Sequence, residues 1–149
     1  MWNELCHFCR ISRSRQWLLG EALIALAIAR IAMALLPFRR IAAWMGTPGA
    51  ETPATATAAE IRVAEEIGWA VGALARRVPW DGRCLAQALA ATAMLRRRGL
   101  EGTVSFGVCR GETTELDAHA WLRFGPCMVT GGPGHQRFNS LTKFARREP

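Results

Sequence analysis

The chain has 149 residues, 50% of them hydrophobic and 21% charged, with a formal net charge of +7. That length is about one domain, and the apolar share is ample for a single core and too high for a disordered segment. The excess charge attracts acidic partners. Nucleic acid is argued against, because the basic residues fall in short clusters at predicted helix ends (Arg76-Arg77, Arg96 to Arg98, Arg146-Arg147) without aromatic interleaving or a reader motif.

Taken in order, the chain begins with Cys6-His7-Phe8-Cys9, the spacing of half a zinc knuckle. No second CxxC or HxxxH follows, so neither a metal site nor a cofactor is expected. The five cysteines are an odd number with no signal-peptide architecture before them, which points to a reducing cytosol. Residues 17–36 are nearly long and apolar enough to span a bilayer, but Glu21 and Arg30 interrupt them, and charges inside a span are costly. A buried helix of the domain is the expectation. Arg10, Arg13, Arg15, Arg39 and Arg40 flank the run on both sides and leave peripheral membrane contact open. Pro37 ends this helix, and a short second one runs through Met45.

Residues 46–58 are rich in Pro, Thr and Ala without periodic apolar spacing, and read as a mobile surface loop. In residues 59–78, Ile61, Ala64, Ile67, Val71, Leu74 and Val78 recur at helical intervals and predict an amphipathic helix. The turn Pro79-Trp80-Asp81-Gly82 then introduces residues 84–98, an Ala- and Leu-rich stretch free of Gly and Pro. Asp81 is its candidate cap, and Arg96 to Arg98 followed by Gly99 form its stop. Cys84 therefore falls in the first turn of a helix. There the free N–H groups, the helix dipole and Arg83 favour a thiolate, and the same N–H groups suit an oxyanion.

After Gly99 the pattern alternates. Residues 103–109 form a strand, residues 116–124 a second and residues 127–130 a third. On the second, Asp117, His119, Trp121 and Arg123 share one face, and Ala118, Ala120, Leu122 and Phe124 the other. A histidine so placed can be brought over the first turn of the preceding helix, as the general base of a cysteine nucleophile requires. Spacing alone does not separate this pairing from a small buried thiol and a packed imidazole. Trp80, Trp121 and Trp69 either line a groove beside the pair or pack the core. The Gly131-Gly132-Pro133-Gly134-His135 segment reads as a loop near the site, with His135 a poorer base than His119.

The segments Cys84-Leu85-Ala86-Gln87-Ala88-Leu89, Leu95 to Leu100, Phe106-Gly107-Val108, Ala118-His119-Ala120-Trp121-Leu122, Gly131-Gly132 and Phe138-Asn139-Ser140-Leu141 go further in combination. With Leu36-Pro37-Phe38-Arg39 upstream, they resemble the transglutaminase-like cysteine peptidase of lasso-peptide biosynthesis. That enzyme is the B protein, or its C-terminal half where it is fused to a leader-binding domain. The resemblance implies an α+β fold with a transglutaminase/papain-like core, its N-terminal helices and nucleophile helix packed on a small antiparallel sheet. As one domain, residues 1–45 supply N-terminal helices, 46–58 the loop and 59–149 the catalytic core. It also implies Cys84 as nucleophile and His119 as base; Trp80, Trp121 and Gln87 are the candidate residues of a substrate groove beside them. The implied reaction removes the leader peptide from a precursor and frees the core amino terminus for a lasso cyclase. The alternatives are an acyl or amide transferase on the same scaffold and a non-catalytic scaffold that presents the precursor. The chain length suggests that leader recognition belongs to a separate small protein.

One departure stands out. The family places an Asp on the strand after the histidine strand to orient the imidazole, and here that neighbourhood reads Val129-Thr130-Gly131-Gly132 without a carboxylate. Asp117 is the nearest acid and the candidate third member, although an i−2 neighbour is poorly placed to reach the ring. Asn139 or a main-chain carbonyl are the other candidates.

Overall fold

A computed structural model describes residues 12–78, 84–110 and 116–146. Cys6, Cys9, Trp80 and Asp81 lie outside the described residues. Helix α1 (Arg13–Leu35) is followed by the short α2 (Phe38–Met45), an edge strand β1 (Thr47–Pro48) and α3 (Ala58–Ala75). Then come α4 (Cys84–Arg96), β2 (Thr103–Arg110), β3 (Leu116–Phe124), β4 (Cys127–Thr130), a single 3₁₀ turn (His135–Arg137) and β5 (Asn139–Ala145). The fold is α+β, with one five-stranded sheet in the order β1-β5-β2-β3-β4 and every pairing antiparallel.

Helix α4 is the pivot. Ala86, Ala88, Leu89, Ala90, Ala91, Thr92, Met94 and Leu95 are all buried, so the helix is enclosed on nearly every side. Its alanines cost no side-chain entropy and let α1, α3 and the sheet close around it. Leu26 of α1, Ile67 and Val71 of α3, and Val104 and Leu122 of the sheet complete the core. Burying side chains of this size contributes roughly 1.5–3 kcal/mol each. Helix α3 starts at a capping box, in which Glu60 N–H donates to Thr57 Oγ1 at 3.3 Å and Thr57 N–H donates to Glu60 Oε2 at 2.8 Å. It meets β4 through Gly68, where an added Cβ would stand 2.4 Å from the Val129 carbonyl oxygen.

Three details differ from the sequence reading. Residues 46–58 are fastened rather than free. Pro48 pairs with Phe144, Thr52 N–H donates to Thr103 Oγ1 at 2.9 Å, and the Arg123 guanidinium donates to the carbonyls of Thr52 and Pro53. The strand β5, absent from the periodicity, inserts between β1 and β2. The expected buried helix α1 is buried along one face only, through Leu18, Leu19, Ala22, Leu26 and Ala29.

Candidate functional site

Cys84 is the first residue of α4 and is half-buried. The first N–H groups of a helix have no partner within it, so this end of α4 offers donors and the positive end of the dipole to whatever sits at the sulfur. Packing of α4 on the sheet carries the sulfur to the β3 edge. β4 pairs with β3 only through Leu122, Arg123 and Phe124, which leaves Ala120 beyond its reach. There the Ala120 N–H donates to Cys84 Sγ at 3.3 Å. The thiol thus rests against the peptide that joins Ala120 to His119.

His119 is half-buried on the opposite face of β3 from the helix-packed Ala120 and Leu122. Its Nε2 lies 2.9 Å from the Gly131 carbonyl oxygen. A carbonyl only accepts, so Nε2 carries a proton, and in the neutral ring Nδ1 keeps its lone pair, the tautomer a general base needs. The ring is flanked by Trp121, stacked at 5.9 Å between centroids and 26° between planes, and by Phe138 at 4.9 Å and 31°. Two aromatic neighbours and one fixed hydrogen bond leave the imidazole little freedom to turn.

Gly131 occupies the neighbourhood where the resemblance called for an acid, twelve residues after His119. Its φ is +70°, and an added Cβ would stand 2.6 Å from the Ala120 carbonyl oxygen and 2.9 Å from Trp121 Cβ. The main chain therefore passes too close to β3 for any side chain, an aspartate included, and presents its carbonyl instead. Gly107 does the same from the other side. It pairs with His119 across β2 and β3, and a Cβ there would meet Trp121 Cη2 and the Asn139 carbonyl oxygen, each at 2.9 Å.

Asp117, the acid read from the sequence, is exposed on β3 opposite Cys109, and it is the Gly131 carbonyl that receives Nε2. Asn139 is exposed at the start of β5, paired with Val108. Trp121 is 8% exposed and backs the imidazole rather than forming a groove wall, with the His135 ring also 5.9 Å from it. His135 Nδ1 is itself engaged by the Gly132 carbonyl at 2.6 Å. Gln87 is half-buried one turn into α4. Trp69 lies on α3 beneath the Arg15 guanidinium, 5.0 Å from its ring. Trp80 falls outside the described residues. Sequence reasoning names Phe138, Gly107 and Gly131 only as parts of motif segments and gives none of them a role at the site.

Two further thiols lie among the described residues. Cys127 on β4 is pushed above the ordinary thiol range by burial, with the charge of Glu65 adding to it. Cys109 is half-buried on β2 opposite Asp117. Among the described residues no group of three or more His, Cys, Asp or Glu gathers to hold a metal ion.

A sequence model of the transglutaminase-like superfamily matches residues 23–143, which span α1 to β5 and include both Cys84 and His119. No curated protein and no solved structure matches the chain.

Proposed function

Because the chain belongs to the transglutaminase-like superfamily, whose members are generally cysteine peptidases or transferases, we propose that it is a cysteine peptidase that removes the leader of a lasso-peptide precursor. The observation that carries the reading is the Ala120 N–H donating to Cys84 Sγ, one residue along β3 from His119, whose Nε2 is held by the Gly131 carbonyl. The motifs around Cys84, His119 and Phe138 support the finer assignment to lasso-peptide maturation.

In this mechanism His119 Nδ1 takes the Cys84 proton, and the thiolate attacks the amide carbon between leader and core. The tetrahedral oxyanion is received by N–H groups at the start of α4. His119 then passes the proton to the departing amine, which frees the core amino terminus for a separate cyclase. Water, deprotonated by His119, hydrolyses the thioester and releases the leader. The Gly131 carbonyl holds the ring and stabilises the transient imidazolium as a dipole, more weakly than a carboxylate would. A separate small protein recognises the leader, and the reaction takes place in the cytosol.

The test is alkylation followed by turnover. Iodoacetamide should label Cys84 first and Cys127 last, as read by peptide mass mapping over time. Cys84→Ala should abolish cleavage of a leader–core peptide while leaving its association with the leader-recognition protein intact. Equal labelling of Cys84 and Cys127 would leave only the scaffold reading. Incorporation of an added amine into the released leader would make the enzyme a transferase.

A further inference from the structure

The outer face of α1 is apolar and, among the described residues, has no partner. Trp17, Ile24, Ile28, Ile31 and Leu35 are spaced 7, 4, 3 and 4 residues apart, which puts them on one side of a helix, and they are 81%, 62%, 61%, 57% and 75% exposed. The opposite side of the same helix, from Leu18 to Ala29, is sealed in the core. Beside the stripe, α1, α2 and α4 enclose an open groove of about 630 Å³ lined by Ile24, Ile28, Ile41, Trp44, Leu89 and Met94; neither Cys84 nor His119 borders it. Contiguous apolar surface of this kind marks an interaction site.

The charge around it is of one sign. From Arg13 to Met45 the chain holds five arginines and a single acid, Glu21, which Arg98 already engages through two hydrogen bonds at 2.7 and 2.9 Å. Arg13 stands at one end of the stripe and Arg39 and Arg40 at the other, all exposed. An apolar face bounded at both ends by cations that have no ion pair among the described residues complements a layer that is anionic outside and apolar beneath. A peptide helix seated in the groove would leave Ile31 and Leu35, which do not line it, in water; a lipid surface covers groove and stripe together. The helix is long and apolar enough to cross a bilayer by length and composition, with a mean hydropathy of 2.0. Its buried face and the Glu21–Arg98 pair instead hold it against α4, so it can lie only in the plane of the interface.

We propose that the outer face of α1, with the adjoining α2, docks the protein peripherally on an anionic membrane surface. This stands independently of the peptidase reading, because its readout is sedimentation rather than cleavage. The full chain should sediment with phosphatidylcholine vesicles containing phosphatidylglycerol, much less with phosphatidylcholine alone, and be released by salt. Arg39→Gln with Arg40→Gln should weaken binding roughly five-fold per arginine. Ile28→Asp with Ile31→Asp, both at exposed positions, should abolish it while near-ultraviolet circular dichroism and the rate of Cys84 alkylation stay native. Three results would overturn the proposal: no sedimentation with anionic vesicles at low salt, undiminished binding by the Ile28/Ile31 double variant, or light scattering that shows this face closed in a dimer which the double variant dissolves. Binding of an acidic helical peptide that excludes vesicles would reassign the face to a protein partner.

Discussion

Where α1 and α2 meet the end of α4, the joint is made by side chains: Arg98 grips Glu21, and two residues earlier Arg96 donates to the carbonyls of Trp44 and Met45 while its guanidinium lies 4.5 Å over the Trp44 ring. Where β3 meets the segment after β4, the joint is made by the main chain, with Gly131 admitting no Cβ. Each arrangement suits a different demand. Long charged side chains adapt to small shifts of two helices, so the helical joint tolerates drift. Backbone contacts cannot adapt, and a ring nitrogen that must face a sulfur benefits from that rigidity. The site edge should therefore be sensitive to one added methyl group in activity, and the helical joint sensitive to lost charge in stability.

Removing the proposed base is the harshest test of the site edge. His119→Ala should lower kcat/KM for the proposed leader cleavage by about 10⁴-fold. The melting temperature should move little, since the half-buried ring belongs to no part of the main core. Next in size is Gly131→Ala. The added methyl group is forced against Ala120 at a positive φ, which costs about 1–3 kcal/mol of stability, and displacement of the carbonyl lets the imidazole turn, with a further loss of about 10²-fold in kcat/KM. Gly132→Ala is the control. Its Cβ would meet only the Met128 side chain, with Cγ at 3.0 Å, and both stability and rate should stay close to native. If the two variants behave alike, the Gly131 carbonyl does not position the base.

How far the sequence reveals this site follows from the same contrast. Cys84 at a helix start and His119 on a strand were legible because helical and alternating periodicities are properties of side chains, and the three strands 103–109, 116–124 and 127–130 emerge almost residue for residue. The group that holds His119 Nε2 is a main-chain carbonyl, which every residue carries, so no residue type announces it. The expectation of an acid led to Asp117, the nearest carboxylate in sequence. Strand β5 was hidden for another reason. Its first residues, Asn139, Ser140 and Leu141, are all exposed and only Phe144 and Ala145 are buried, so alternation never develops. Residues 46–58 looked like a loop by composition. They are tied to the sheet through Arg123 and Thr103, partners that lie some fifty to seventy positions away.

On the helical side, Arg96→Met should break more than an ion pair. It removes the donors to the Trp44 and Met45 carbonyls at the end of α2, a loss of roughly 2 kcal/mol. Alkylation of Cys84 should keep its native rate, because Trp44 and Met45 make no hydrogen bond or ring contact with Cys84, His119 or Gly131 among the described residues. A reduced rate would mean that the two joints are mechanically coupled.

The smallest effect tests the joint through pH. The hydrogen bond from Arg98, aided by its charge and that of Arg97, holds the Glu21 carboxyl below the usual carboxylate range against a partial burial that acts the other way. A depressed carboxylate contributes stability that is fully present above its unfolded pKa, about 4.3, and is lost as pH falls through its folded value. The pair is partly open to solvent, with the Arg98 side chain 32% exposed, so screening limits it to about 0.5–1 kcal/mol. Urea unfolding of the native chain and of Glu21→Gln should therefore differ by that amount from neutral pH down to about pH 5. The two curves should converge below pH 4, where the native carboxylate takes up its proton. A gap that persisted into acid would mean that Glu21 holds α1 by packing rather than by charge, and the helical joint would then resemble the sheet edge after all.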